Sequence, residues 1–488
     1  MAAPNPTAQP LYLQIADAVV KLIADGTLRP GERTPSLRRV CSQHGVSMST
    51  AVQAFVELES RGVVEPRHKS GFFVKQPGPR ERVELHQPRP PRVPMAGSLG
   101  NLHASLFDGV AAGNVMALGG AVPGADILPT VKLNRMLAEK ARHAGARGVA
   151  YDLPPGSEVL RRQISKRMAR GGAIVAPAEI ITTCGATEAL MLCLRAVTKP
   201  GDVVAVESPT YFGILHLLEA LSLRALEIPA DPESGMRLDV LERALKTQRV
   251  QACIALPAFS NPLGASMPDE AKQRLVALLK EREIPLIEDD VFGALPFGPR
   301  RGRSCKSFDD AGLVLFCSSF SKTLAPGYRV GWVAPGRYYH AVRMAKLTHT
   351  LATATLPELA VAGFLAEGGY DHWLRSVRAV FKGNVTQTRR AILEHFPAGT
   401  SVTDPKGGFL LWVTMPPQVD ALELYERALA KGISIAPGHM FSPRQHLTHC
   451  IRISCGERWG PRIEGAIRTL GALARRLAEQ AGVRKDGL

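Results

Sequence analysis

The segment Ser318–Trp332 reads SSFSKTLAPGYRVGW and is the most informative stretch of the chain. It follows the apolar run Leu313–Phe316, which is typical of a buried β-strand. The spacing S-x-S-K-x-x-x-P-G-x-R-x-G therefore places an amine just past a strand end, close to hydroxyl groups and a guanidinium. The side chains concerned are Ser319, Ser321, Lys322 and Arg329.

These side chains suit an aldehyde cofactor that carries a phosphate. Lys322 would supply the amine for a Schiff base. Ser319 and Ser321 would donate hydrogen bonds to phosphate oxygens, and Arg329 would bind the same oxygens as a fork-shaped cation. A solvated lysine before a Pro-Gly turn is the better interpretation of a lone lysine, but it does not explain the whole spacing. The arrangement resembles the cofactor-lysine motif of fold-type I pyridoxal phosphate (PLP) enzymes.

Length and composition indicate a soluble chain of more than one domain. Its 488 residues exceed one ordinary domain, and 45% of them are apolar. No apolar run approaches the roughly 20 residues of a membrane span, and the N-terminus MAAPNPTAQP lacks signal-peptide features. The eight cysteines form no CxxC pair, so we expect no disulfide framework and no metal site, and the expected location is cytoplasmic.

The net charge of +16 favours a nucleic-acid partner, and residues 1–76 have a pattern that fits one. Ser36 and Ser47 are suitable N-caps for two successive helices. Apolar spacing, glycine turns and β-rich runs predict a winged helix-turn-helix. Its elements are the helices Leu11–Ala24, Leu37–His44 and Met48 to Ser60, then two short strands within Val63–Val74. The predicted buried stripe of the third helix is Val52, Phe55, Val56 and Leu58.

Polar residues on this unit favour double-stranded DNA over a purely structural or protein-binding bundle. They are Arg33, Ser36, Arg38, Ser47, Ser49, Thr50 and Gln53, with His68 and Lys69 at the wing tip. The stretch Pro10–Val74 resembles the DNA-binding domain of the GntR family of bacterial repressors. The resemblance implies that Arg38 and the residues from Ser47 to Thr50 contact an operator. Met48 lies within that stretch, where many relatives have an arginine.

Two further segments follow. Residues 77–112 are dense in proline and arginine, which predicts an extended linker. Residues 113–488 alternate strand-like and helix-like stretches, which predicts an α/β domain with a mostly parallel sheet. Conspicuous residues recur at the carboxyl ends of its strands, where open parallel sheets bind ligands.

These strand-end residues can complete a cofactor site. Gly185, Ala186 and Thr187 open a helix, whose amides would face a phosphate. Tyr211 would stack on a pyridine ring, Asn261 could donate to the ring hydroxyl, and Asp289 would pair with the protonated ring nitrogen. Each residue has a plain structural alternative: a helix start, a core tyrosine, an Asn-Pro turn or an N-cap.

Residues from about 113 to 488 resemble a class I or II aminotransferase of fold type I. The resemblance implies that Tyr151 reaches the phosphate of the neighbouring subunit's cofactor. It also implies that Arg452 binds the ligand's α-carboxylate, and both roles imply a homodimer. Gly120 is a further candidate ligand-binding residue. Phe292 stands where the family often has a tyrosine, and phenylalanine cannot hydrogen-bond the cofactor's ring hydroxyl.

A GntR-type winged helix, a linker and an aminotransferase-like domain together form the layout of the MocR family of bacterial regulators. The first hypothesis is therefore a PLP-dependent transcriptional regulator that senses a small amine or amino acid. The second is an active aminotransferase with an incidental DNA-binding module, since fold alone does not decide function. A third, a dimerisation scaffold without cofactor, conflicts with Lys322, Asp289 and Arg329.

Overall fold

The computed structural model describes residues 10–25, 27–67, 70–75, 115–367 and 369–485. Contacts divide the chain into two compact units, Met1–Arg82 and Val83–Leu488. The predicted linker and the predicted wing-tip contacts His68 and Lys69 lie outside the described residues.

The first unit is a three-helix winged fold. Ser36 and Ser47 cap the second and third helices, because their hydroxyl oxygens accept the amides of Arg39 at 3.3 Å and Thr50 at 3.2 Å. Gly45 ends the second helix with φ 62°, a left-handed conformation that glycine adopts without strain. The elements are α1 (Leu11–Ala24), α2 (Leu37–His44), α3 (Met48–Ser60), β1 (Val64–Arg67) and β2 (Gly71–Val74), the two strands being antiparallel.

The predicted buried stripe of α3 is wrong at two positions. Phe55 and Leu58 are buried, but Val52 is 42% exposed and Val56 is 55% exposed. Ala51 and Ala54 complete the buried face instead. On a helix, positions 51, 55 and 58 share one face, whereas positions 52 and 56 share another. The outer face of α3 therefore carries apolar side chains among its polar ones.

The second unit alternates helices and strands. Its helices are α4 (Thr130–Ala144), α5 (Glu158–Arg170), α6 (Gly185–Val197), α7 (Phe212–Ala220), α8 (Leu238–Thr247), α9 (Asp269–Lys280), α10 (Tyr339–His349), α11 (Thr355–Ala366), α12 (Gly369–His395), α13 (Ala421–Leu429) and α14 (Pro461–Lys485). Its strands are β3 (Met116–Ala117), β4 (Ile181–Cys184), β5 (Val203–Ser208), β6 (Arg224–Asp231), β7 (Gly235–Met236), β8 (Ala252–Ala255), β9 (Leu286–Asp289), β10 (Val314–Ser319), β11 (Val330–Ala334), β12 (Ser401–Val402), β13 (Leu410–Thr414), β14 (Ile433–Ser434), β15 (Ala436–Pro437) and β16 (Cys450–Ser454).

Within the described residues the large sheet has eight strands in the order β4-β11-β10-β9-β8-β5-β6-β7. The strands pair in parallel except β11, which is antiparallel to β10 and β4, and β7, which is antiparallel to β6. The carboxyl ends of β4, β5, β8, β9 and β10 consequently share one edge, and the start of β11 meets the same edge. A smaller antiparallel sheet has the order β12-β13-β16-β15.

The sheet forms because most residues of its strands are buried, although β5, β9 and β10 end in polar residues. All six residues of β5 are buried, which is typical of a parallel strand covered on both faces. Separate apolar clusters pack on the sheet, one including residues of α6 and α7 and another including residues of α8 and α9. No helix in the described part of the chain is long and apolar enough to cross a bilayer.

Candidate cofactor site and nucleic-acid interface

The sheet topology places the predicted cofactor residues at one edge. Gly185 follows β4, Tyr211 follows β5, and Asp289 ends β9. Ser319 ends β10, and Arg329 immediately precedes β11 at the same edge. The site therefore lies where a parallel sheet presents its strand ends.

Lys322 is a half-buried amine with a lowered pKa. Burial lowers this pKa from 10.5 to about 8, and the positive charge of Arg452 lowers it further while Asp289 opposes the shift. Its Nζ donates a hydrogen bond to the Ala121 carbonyl at 2.6 Å. A larger fraction of this lysine is therefore a neutral nucleophile at pH 7 than of a solvated lysine.

Arg329 joins three parts of the predicted phosphate site. Its Nη1 donates to Ser321 Oγ and its Nη2 to the Cys184 carbonyl, each at 3.3 Å. Ser319 Oγ accepts the Ser321 amide at 3.3 Å. Gly185 has φ 76°, and a Cβ there would collide with the Arg329 guanidinium, so the turn requires glycine.

Helix α6 begins at this cradle. Gly185, Ala186 and Thr187 are its first three residues, so their amides have no acceptor within the helix. Together with the exposed guanidinium of Arg329, these amides form an arrangement that suits a phosphate.

Asp289 is a buried carboxylate that lies near a cation. It is 4% exposed, and burial raises its pKa from 3.8 to about 7. The Val291 amide and the charge of Lys322 act against that shift, whereas Asp290 adds to it. A protonated pyridine nitrogen would stabilise the ionised form, so the residue fits the predicted partner of the ring.

Arg452 is a fully buried guanidinium, and burial lowers its pKa from 12.5 to about 10. Its Nη1 donates to Asn261 Oδ1 at 2.9 Å, and its Nη2 donates to the Gly119 carbonyl. The buried Nε has no hydrogen-bond partner among the described residues. A buried cation held by neutral oxygens is a suitable receptor for a carboxylate.

Tyr211 faces the same charges, since Asp289, Arg452 and Arg329 each act on its pKa, which burial raises. Tyr151 does not join this network, and it is 76% exposed. Phe292 is buried and packs edge-on against Phe409, with ring centroids 5.3 Å apart. Its side chain therefore belongs to an aromatic core and has no polar group to offer a cofactor.

Two atoms of the candidate site could not be predicted because they belong to the backbone. The carbonyls of Gly119 and Ala121 accept from Arg452 and Lys322, and the predicted Gly120 lies between them. A backbone carbonyl has no sequence signature. The segment Gly119–Ala121 is called the tether segment below.

The winged unit carries the predicted DNA contacts on its surface. Those with exposed side chains are Arg33, Ser36, Arg38, Ser47, Met48, Ser49 and Gln53, and Thr50 is half-buried. Ser47 Oγ also lies 2.8 Å from Ser49 Oγ and 2.9 Å from Thr50 Oγ1, so the start of α3 presents a hydroxyl cluster. The Arg33 guanidinium lies beside Gly71 of the wing.

Both units of the chain match known protein families. Residues 11–74 match the family of bacterial regulatory proteins of the gntR type, and residues 128–458 match the class I and II aminotransferases. The chain is 37% identical over 466 residues to the uncharacterized HTH-type transcriptional regulator YdcR of Escherichia coli, covering 95% of this chain and 98% of that protein. It is 29% identical to aromatic-amino-acid aminotransferase 1 of Thermococcus litoralis, covering 70% of this chain and 83% of that protein.

Solved structures of aminotransferases are similar to the second unit of the chain. LysN, an α-aminoadipate aminotransferase of Thermus thermophilus solved with N-(5'-phosphopyridoxyl)-L-leucine, superposes with a TM-score of 0.72 at 27% identity, covering 78% of this chain and 96% of that one. Neighbours of this fold are PLP-dependent, and the basic cradle, buried Asp289 and Lys322 fit that cofactor. The chain therefore belongs to the MocR-type members of the GntR family, in which a GntR helix-turn-helix is joined to a class I and II aminotransferase domain.

Proposed function

We propose that this chain is a PLP-dependent transcriptional regulator whose aminotransferase-like unit senses a small amine or amino acid. The observation that carries the proposal is the match to HTH-type regulators through both units, over 95% of the chain. An incidental DNA-binding module would leave no reason for relatives to keep both units together.

PLP supplies an aldehyde for amines and a pyridine ring that withdraws electrons. Lys322 would hold it covalently, and Asp289 would keep the ring nitrogen protonated. Ser319, Ser321 and Arg329, with the start of α6, would bind its phosphate, while Tyr211 and Asn261 would flank the ring. The burial of Lys322 and Asp289 supports these roles, because both have pKa values moved towards neutrality.

Arg452 would bind the carboxylate of the effector. Its guanidinium is buried beside Asn261, and its charge acts on Lys322, so an amino acid held there would present its amine to the cofactor. Gly120 would line the same place.

Tyr151 would reach the cofactor of a second subunit, so the proposed working form is a homodimer. Its 76% exposure supports a role outside its own subunit. The regulator would act in the cytoplasm on double-stranded DNA, with Arg38 and the start of α3 at the operator. Arg33, Ser36 and Gln53 would support these contacts, as would His68 and Lys69 of the wing.

An active aminotransferase is the second candidate, and the nearly complete set of cofactor residues favours it. Phe292 acts against efficient turnover, because its buried ring leaves the cofactor's ring hydroxyl without a tyrosine partner. Cofactor binding alone cannot separate the two functions, since both need it.

The decisive experiment is Arg452→Gln in the full-length protein, with the exposed Arg458→Gln as matched control. Each protein is tested for PLP binding, for effector-dependent transcription of a reporter, and for turnover of an amino acid with a keto acid. We expect Arg452→Gln to retain PLP and operator DNA but to lose the transcriptional response. Arg458→Gln should behave as the parent. The regulator hypothesis would be contradicted, and the aminotransferase hypothesis supported, by rapid turnover in the parent together with reporter transcription that is the same for every variant.

A further inference from the structure

A cavity that does not include Lys322 or Arg452 borders the cofactor site, and it is called the second cavity below. It has a volume of about 910 Å³, within the range of small-molecule sites, and is lined by residues of α5, α12, β10, β11 and the segment after β9. Ser319 and Asp290 contribute to its wall. Among the described residues that line it, Lys322 and Arg452 do not occur. A ligand here would therefore lie away from Lys322 and Arg452, although Ser319, a predicted phosphate ligand, borders both places.

The inner wall is aromatic. Phe316, Phe320, Trp332 and Tyr370 all line it and are all buried. The ring centroids of Phe320 and Trp332 lie 4.9 Å apart. The indole Nε1 of Trp332 is buried and has no hydrogen-bond partner within the described ranges. Such a wall suits an aromatic or apolar body with an acceptor near the indole.

The rim is cationic, and its acids are already paired. Asp290 accepts two hydrogen bonds from Arg301, at 2.8 Å and 3.0 Å. Asp371 pairs with Arg167 at 3.1 Å and with Arg170 at 2.5 Å. These pairs leave no lining carboxylate for the other cations of the cavity, as far as the structure describes its residues. Those cations are Arg300, Arg375, Arg378 and Lys382.

Arg378 is a partly buried cation of this rim. Its Nε donates to the Ala294 carbonyl at 2.9 Å, so the side chain is fixed at the cavity. Burial lowers the pKa of its guanidinium. Tyr370 and Asp371 oppose that shift, and the smaller effects of Arg301 and Arg170 add to it. An anion in the cavity would favour the charged form of this buried guanidinium.

We propose that this cavity binds a small amphipathic anion, a carboxylate or phosphate carried on an aromatic body. The aromatic wall would take the ring, and the cations from α12, Arg375, Arg378 and Lys382, would take the charge. The proposal does not depend on the proposed function, since neither effector sensing nor DNA binding enters the argument.

The test uses the full-length protein with its cofactor fixed by borohydride reduction, so that the cofactor site is filled. The probes are the aromatic sulfonate 8-anilinonaphthalene-1-sulfonate and its uncharged analogue N-phenyl-1-naphthylamine, both followed by fluorescence. The double variant Arg375→Gln/Lys382→Gln removes two exposed rim charges without disturbing the core. The control Arg390→Gln removes an exposed charge from α12 away from the cavity.

We expect one sulfonate per chain, bound roughly tenfold more weakly by the double variant. The control should match the parent, and the uncharged probe should bind all three proteins alike. Displacement by 1-naphthyl phosphate or by 1-naphthoate distinguishes the two kinds of anion. Equal sulfonate affinity in parent and double variant would overturn the proposal, as would failure of both naphthyl anions to displace the probe.

Discussion

Lys322 shows how single residues set the chemistry of the site. Burial makes its amine less basic, and two neighbours then act with opposite signs: Arg452 lowers its pKa and Asp289 raises it. The pKa of about 8 therefore reports on both neighbours. It makes the geometry of the site measurable in solution.

The first prediction is a pH profile for cofactor capture by the apoprotein. Capture needs the neutral amine, so the rate should rise with pH and level off above about 8. Arg452→Gln removes a positive charge, so the pKa rises and the midpoint moves to higher pH. Asp289→Asn removes a negative charge, so the midpoint moves to lower pH. Stopped-flow absorbance measures all three profiles.

The reaction of PLP with Nα-acetyl-lysine, measured over the same pH range, corrects for the titration of PLP itself. Midpoints that move in the same direction in both variants would contradict the charge arrangement around Lys322.

At the scale of elements, the start of α3 combines stability and recognition. Ser47 caps the helix through the Thr50 amide, yet its hydroxyl belongs to the exposed cluster that is predicted to meet DNA. One residue thus has two roles, which substitutions can separate.

The second prediction separates them. Ser47→Ala removes the cap and should cost about 1 kcal/mol in the free energy of unfolding of the winged unit. Ser47→Asp keeps a cap and restores that stability, but it places a negative charge towards the phosphates of the DNA. Its operator affinity should therefore be lower than that of the parent. Thermal denaturation and electrophoretic mobility shift measure the two properties. If the Asp variant binds the operator as tightly as the parent, the start of α3 does not contact the DNA.

Local patterns predicted most elements, because caps and periodicity act over a few residues. The ranges Leu11–Ala24 and Leu37–His44 agree with the structure, as do the serine caps. The exposure of Val52 and Val56 was missed, because two adjacent apolar faces of one helix look alike in sequence. The location of the candidate cofactor site, at one edge of the sheet, was predicted from the positions of the strand ends alone. The second cavity could not be predicted, since its lining comes from residues 167 to 382.

At the scale of the whole molecule, exposed apolar residues surround Tyr151. Val149 is 91% exposed and Leu153 is 51% exposed. An apolar surface of this kind favours association with another subunit. The proposed homodimer would cover it and would bring Tyr151 to the partner's cofactor.

The third prediction tests this sharing by mixing two defective proteins. Lys322→Ala cannot hold PLP covalently, and Tyr151→Ala would weaken the phosphate site of its partner. A mixed dimer has one site with both defects and one with neither. Borohydride reduction should therefore label the Tyr151→Ala chain more strongly in the mixture than alone. Labelling equal to that of the unmixed protein would show that each site is built from one subunit.

The tether segment has a consequence for the whole chain. Lys322 donates a hydrogen bond to the Ala121 carbonyl, and Arg452 donates one to the Gly119 carbonyl. An ammonium has three N–H donors, but a nitrogen joined to the cofactor's carbon keeps at most one. A guanidinium that turns to a carboxylate likewise redirects its donors. Cofactor binding at Lys322 would thus weaken the hydrogen bond to Ala121, and a bound carboxylate would weaken the hydrogen bond from Arg452 to Gly119. An effector amine that displaced Lys322 from the cofactor would return donors to that lysine, so the tether segment would respond differently to the cofactor and to the effector.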